Sequence, residues 1–204
     1  RVPVATASRV VRVIGYPRTT GVEIADRGGR VRIIECDTVV FTGDWIPDNE
    51  LVRAANLSLD PASLAPVTSN TARTSRAGVF AAGNLVHPVV TADLAALGGR
   101  RAASAIEAWL RRPGTDRAEL SLCTREPFRW ISPGRWSPGA ERQRLVLWSE
   151  QLIRRPRMIA EQDGRVIGQL RLPWPASPGR AFLVPARLLR GADADGGPVT
   201  VGAG

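Results

Sequence analysis

Lysine is absent: all 28 basic residues are arginine, set against 19 acidic ones for a net charge of +9. Cations clustered on one face gain affinity for nucleic acid or acidic membranes by releasing counterions. These arginines are scattered, and neither a basic helix nor an aromatic-basic ladder occurs. The charge therefore reads as a compositional bias alongside abundant Ala, Gly, Pro and Val, and no specific nucleic-acid partner is expected. Cysteine is scarce too. Cys36 and Cys123 lie far apart and form neither a CxxC pair nor a ligand cluster, so neither a disulfide framework nor a zinc site is indicated. No apolar run approaches the roughly 20 residues that span a bilayer, and no basic start leads into an apolar stretch of the kind that directs export. No membrane association is expected, and the cytoplasm is the default location. Any GxGxxG is missing as well, so these 204 residues carry no dinucleotide pyrophosphate cradle. The first residue is Arg1 and the only methionine is Met158, which predicts that the chain continues a longer polypeptide.

What remains is a globular composition, 44% hydrophobic, long enough for one large or two small cores. Short β-prone runs at Val10–Ile14, Gly21–Ala25, Val31–Ile34 and Thr38–Thr42 predict an antiparallel meander leading into a buried strand. Arg27-Gly28-Gly29 marks the hairpin between the second and third. Asp44-Trp45-Ile46-Pro47-Asp48-Asn49 then reads as a loop, in which Asp44 and Trp45 either close a turn or border a cleft. Residues Glu50 to Asn56 predict a short helix, followed by a polar connector. Gly78 to Asn84 reads as a short apolar strand stopped by glycine. Thr91 to Arg112 predicts a helix capped by Thr91, with Asp93 in its first turn, where the helix dipole favours a carboxylate. Leu94, Leu97, Ala102, Ala105, Ile106, Trp109 and Leu110 supply its expected buried stripe. The helix stops at Arg111, Arg112, Pro113 and Gly114, cations before breakers.

Composition shifts at Gly114. Runs at Leu145–Trp148, Met158–Glu161, Arg165–Leu172 and Ala181–Val184, with Asp163-Gly164 as a hairpin turn, predict a small β-sandwich ending near a helical turn at Ala186–Arg190. The fold class is thus α/β followed by an all-β, sandwich-like carboxy-terminal domain, with boundaries at 1–46, 47–114 and 115–204. Trp130, Trp136, Trp148 and Trp174 read as core or sheet-face residues, not as a sugar platform.

On physical grounds, chemistry is expected in the segment from Gly78 to the helix. A strand ending in glycine, a polar residue, a loop and a capped helix can bring backbone N–H groups to an electron-rich ligand. Small residues at Ala81, Ala82, Gly83, Ala92, Ala95, Ala96, Gly98 and Gly99 permit close approach of a ligand or of helix to sheet. The bland alternative is an ordinary strand-loop-helix packing unit. His87, the only histidine, is either a proton donor or substrate contact, given its near-neutral pKa, or a surface or capping residue before Pro88. Cys36 reads as a buried strand residue, since a redox thiol would need a partner.

The stretch Thr74-Ser75-Arg76-Ala77-Gly78-Val79-Phe80-Ala81-Ala82-Gly83-Asn84, followed by Ala92 to Leu110, resembles the second FAD motif of the pyridine nucleotide-disulfide oxidoreductase superfamily, including thioredoxin-reductase-like and opine or amino-acid dehydrogenase-like flavoproteins. Cys36-Asp37-Thr38-Val39-Val40-Phe41-Thr42-Gly43 with Pro47 and Glu50-Leu51 resembles the stretch where such chains leave the NAD(P) domain and return to the FAD domain. The resemblance covers about residues 9 to 112. It implies that 1–46 ends an NAD(P)-binding domain, that 47–114 closes an FAD-binding domain, and that 115–204 is an accessory domain. It implies FAD as cofactor, NAD(P) in the full-length protein, and hydride transfer through flavin from a small-molecule substrate or NAD(P)H to an acceptor. Gly83 and Asn84 would then meet the ribityl chain, and the backbone around Thr91 and Ala92 would face flavin N1 and O2. His87 would lie on the substrate side. A helix amino terminus there would stabilise the charge of reduced flavin by up to about 2 kcal/mol.

The chain departs from the family at Asn84, where aspartate is usual. An amide gives up a charge-assisted bond worth about 1.5–3 kcal/mol for a neutral one nearer 1. Without a pyrophosphate cradle, this stretch alone is expected to bind FAD weakly and to be inactive. The alternative is a non-catalytic partner-binding module on a degenerate flavoprotein scaffold, and self-association or a partner subunit stays open.

Overall fold

The computed structural model describes residues 2–41, 47–87, 91–112, 119–138 and 143–204. The expected Asp44-Trp45 loop, Pro88 beside His87, and the helix breakers Pro113-Gly114 lie outside these residues. The chain forms two compact units, Arg1–Asp44 and Trp45–Gly204, and sheet dominates over helix. No described helix is long and apolar enough to cross a membrane.

The first unit is the expected meander. Strands β1 (Arg9–Ile14), β2 (Gly21–Ala25) and β3 (Val31–Glu35) form one antiparallel sheet in that order. The β2–β3 turn closes through Asp26, whose N–H donates to the Arg30 carbonyl and whose carboxylate accepts from the Arg30 N–H. Arg12 and Glu23 face each other across β1 and β2 as an ion pair at 2.7 Å. Two expectations change here. Residues 38–41 are not a strand, because β3 pairs with β2 alone and no described residue offers a further ladder partner. Cys36 consequently falls just past β3, half-buried and free.

The second unit begins with helix α1 (Glu50–Ala54). The motif segment that follows is not the expected strand. Gly78 lies in a turn at φ +77°, and the residues after it make a single bridge, Phe80 to Arg73, flanked by bonds from Thr74 N–H to the Val79 carbonyl and from Ala81 N–H to the Ala72 carbonyl. A strand needs neighbours on a ladder, and the described residues supply only this short return of the same segment. A 3-10 turn at Gly83–Leu85 leads on to helix α2 (Ala92–Arg111), 20 residues long.

Helix α2 packs on the motif segment through one side only. Trp109 meets Phe80 edge to face at 6.2 Å, and Gly98 passes close to the Gly83 backbone. Of the expected stripe, Ala102 is buried and Leu94, Ala105 and Trp109 are half-buried. Leu97, Ile106 and Leu110 are exposed, because the motif segment is too narrow to cover the whole apolar arc. The small-residue run is likewise only partly used: a side chain at Gly99 would meet nothing.

The carboxy-terminal strands are β4 (Leu120–Thr124), β5 (Phe128–Ser132), β6 (Arg135–Trp136), β7 (Arg144–Ser149), β8 (Arg157–Gln162), β9 (Arg165–Arg171), β10 (Ala181–Pro185) and β11 (Val199–Ala203). They form a three-stranded sheet, β10-β7-β5, and a five-stranded sheet, β6-β4-β11-β8-β9. All pairs are antiparallel except β4 with β11. The β8–β9 hairpin turns at Asp163-Gly164, both at positive φ (50° and 75°), which matches the twist of the flanking strands. Residues Ala186–Leu189 form the expected helical turn as a 3-10 segment.

The two sheets share one core. Leu145, Leu147, Phe182 and Val184 of the smaller sheet pack with Met158, Ala160, Val199 and Val201 of the larger. Strands β4, β8 and β10 alternate buried residues with less buried ones, as a two-layer β structure favours, whereas β5 and β7 bury consecutive residues. Trp136 and Trp130 are buried, Trp148 is half-buried and stacks on Trp130 at 6.0 Å, and Trp174 lies at the surface.

The motif segment is joined to this β domain by main-chain pairing. Ser69 bridges Arg135 of β6 in parallel; the Arg135 N–H donates to the Thr68 carbonyl and the Asn70 N–H to the Arg135 carbonyl. Residues 68–70 thereby extend the five-stranded sheet at its β6 edge.

Candidate cofactor and ligand site

Gly83 turns the chain at φ +77°, a conformation that costs glycine nothing and strains any other residue. The turn closes when the Val86 and His87 N–H groups donate to the Gly83 carbonyl at 3.0 and 3.2 Å. Asn84 projects from this turn and is exposed. Thr91 stands at the amino cap of α2 with extended backbone, and its carbonyl accepts from the Ala95 N–H at 3.0 Å. Its side chain makes no cap bond to the helix, contrary to the expected capping role.

The Thr91 hydroxyl bears on Asp93 instead. Together with the Asp93 and Leu94 amides, it holds the Asp93 carboxyl below the usual carboxylate range. The first-turn N–H groups at 93 and 94 thus already face a carboxylate of the same chain, while Thr91 and Ala92 are exposed. Charge at a helix amino terminus is stabilising, so this arrangement is locally favourable, and any ligand reaching those amides must compete with it.

Beside this turn lies a cleft of about 340 Å³. One wall comes from Ala81, Ala82, Gly83, His87, Leu94 and Arg101, the other from Ser132, Pro133, Arg144, Val146 and Leu183 of the β domain. Gly83 and His87 line it; Asn84, Thr91 and Ala92 do not. The sequence-derived residues are therefore divided. Asn84, Thr91 and Ala92 face solvent around the turn and helix start, whereas His87 belongs to the cleft.

His87 is buried enough that its pKa falls from the ordinary 6.5 to about 4, first through desolvation and second through the nearby positive charge of Arg101. The imidazole is neutral at physiological pH. Its Nδ1 is buried with no hydrogen-bond partner among the described residues. Arg101, Arg144 and Asn70 carried no signal in the sequence. Arg101 is one arginine among many on an amphipathic helix, Arg144 lies in another domain, and Asn70 sits in a polar connector without periodicity.

No protein-family model matches the chain, and no curated protein matches it. Among solved structures it is similar to T. acidophilum thioredoxin reductase, 28% identical over 50% of this chain and 34% of that one, with a TM-score of 0.43. It is also similar to a thioredoxin reductase from Gloeobacter violaceus, 24% identical over 54% of this chain and 35% of that one, with a TM-score of 0.31. The chain spans about a third of the length of either protein.

Proposed function

We propose that this chain is the FAD-closing, carboxy-terminal part of an FAD-dependent, NAD(P)-linked oxidoreductase acting on a small-molecule substrate. The observation that carries the reading is the Gly83 turn at positive φ running into α2, with Asn84, Thr91 and Ala92 all exposed around it. An exposed amide on a glycine turn and the exposed Thr91 and Ala92 at the helix start suit a polyhydroxyl chain attached to a ring with a polar edge. The residues present fit a flavin on those terms.

Asn84 would hold the ribityl chain, accepting from a hydroxyl through Oδ1 and donating through Nδ2. The Ala92 amide would face the pyrimidine edge, and Gly83 would allow the backbone to approach. Bound flavin would supply hydride transfer. The chain's own part is to orient the ring, exclude water from one side and place positive helix dipole where negative charge develops. The Asp93 carboxylate works against the last effect.

The test is amide NMR of the 204-residue chain titrated with riboflavin and FAD. Weak, saturable shifts confined to Gly83, Asn84, Ala92 and their neighbours are expected, and they should diminish in Asn84→Ala. Shifts scattered over the β domain, or none near millimolar ligand, would overturn the proposal in favour of a non-catalytic scaffold that binds a partner.

A further inference from the structure

The cleft beside the glycine turn has its own chemistry, separate from the flavin-facing residues. Its two walls belong to different parts of the fold, α2 with the motif segment on one side and β5, β7 and β10 on the other. Each wall contributes a guanidinium, Arg101 from α2 and Arg144 from β7, and among the described residues neither forms an ion pair. Asp93 is the one acidic residue of the lining, and its carboxylate is already turned to Thr91 and the first-turn amides. The lining therefore has an uncompensated positive charge. Arginine presents planar paired donors that match a carboxylate.

The same lining carries the buried Nδ1 of His87, which has no partner among the described residues. A buried polar atom of this kind is costly unless something meets it. Leu94, Val146 and Leu183 add an apolar surface. The volume, about 340 Å³, lies at the lower end of the range for small-molecule sites, roughly 300–1,000 Å³.

We propose that this cleft, closed by the β domain, binds a small organic carboxylate. Arg101 and Arg144 hold the carboxylate head, His87 Nδ1 bonds a polar atom beside it, and the aliphatic body rests on Leu94, Val146 and Leu183. The β domain is on this account part of a binding site and not an appendage. The inference does not rest on the flavin reading, because it concerns different residues and needs no flavin present.

His87 is the only histidine, so its imidazole resonances report on this cleft alone. The 204-residue chain, isotope-labelled at histidine and kept at low salt, is titrated with 4-methylpentanoate, with 4-methylpentanamide and with inorganic phosphate. A saturable shift with the carboxylate is expected, with the amide and phosphate each weaker by about tenfold or more. Arg101→Gln and Arg144→Gln should each weaken carboxylate binding by about tenfold. Both arginines are exposed, so unchanged thermal unfolding would confirm that these variants fold.

No shift up to about 10 mM would overturn the proposal. So would equal binding of the amide, which removes the role of charge, or equal binding of phosphate, which removes the apolar body. Arg144→Gln without effect would remove the β domain from the site and overturn it as well.

Discussion

The side chain of Asn70 holds both main-chain groups of Ser137: its Nδ2 donates to the Ser137 carbonyl at 3.0 Å, and its Oδ1 accepts from the Ser137 N–H at 2.9 Å. Both residues are buried. The amide thus stands in for one more residue of strand pairing at the end of β6, where residues 68–70 join the larger sheet. Asn70→Ala would leave the Ser137 N–H and carbonyl buried without partners. A loss of about 2–3 kcal/mol is expected, measured by denaturant unfolding of the two variants side by side. A loss below about 0.5 kcal/mol would mean that the motif segment and the β domain are joined by something else.

Two glycines on either side of the helix junction should respond in opposite directions. Gly78 sits at φ +77°, and an added Cβ would lie 3.2 Å from the Trp109 indole. Gly78→Ala should cost roughly 1–3 kcal/mol. Gly99 lies inside α2 with open space around it, so Gly99→Ala should gain about 0.5–1 kcal/mol by helix propensity. Thermal unfolding decides both. A destabilising Gly99→Ala would show that this side of α2 is covered by something the described residues do not include.

Burial of His87 makes stability depend on pH. The fold accommodates the neutral imidazole, whereas the unfolded chain binds a proton once the pH drops below about 6.5. Because the folded pKa is lowered to about 4, the unfolded state binds more protons within that window. Stability should therefore be full above about pH 6.5 and fall as the pH drops toward 4, by up to ~3 kcal/mol from this group. His87→Gln should flatten that part of the profile. A pH profile of unfolding that is identical in the two proteins would exclude His87 as its source.

Flavin contacts should answer to charge at two neighbouring positions. Asn84→Asp restores the charge-assisted bond to a ribityl hydroxyl and should leave flavin binding intact or tighter in the full-length protein. Complete loss of flavin absorbance would remove Asn84 from that role. Asp93→Asn frees the first-turn amides of a competing carboxylate, so riboflavin affinity should rise several-fold by fluorescence quenching and the bound flavin should become easier to reduce. Unchanged affinity would show that the ring does not reach those amides.

Much of the local structure was legible because its causes are local. The β2–β3 and β8–β9 hairpins follow from turn residues that take positive φ or return a carboxylate to the backbone. Helix α2 runs over Ala92–Arg111, within the Thr91–Arg112 stretch that its sequence pattern marks. The illegible parts have one reason in common. Thr38–Thr42 and Gly78–Asn84 have the composition of strands, but a strand exists only where another backbone pairs with it. Likewise the apolar residues of α2 mark one face, and only the extent of the neighbouring surface decides that Leu97, Ile106 and Leu110 remain exposed. The site divided along the same line. Asn84, Thr91 and Ala92 could be named from a contiguous motif, whereas the cleft draws on Arg101 and Arg144 from separate elements.

The sequence by itself determined the turns, the helix and the glycine-asparagine corner, because backbone conformation and helical periodicity depend on residues within a few positions of one another. Only the tertiary structure decided that residues 68–70 complete the β domain's larger sheet, through an Asn70–Ser137 pair 67 positions apart, and that half-buried His87 lies near Arg101 in a cleft also lined by Arg144. Such contacts depend on which surfaces exclude water together, a property of the folded chain that no short window of residues contains.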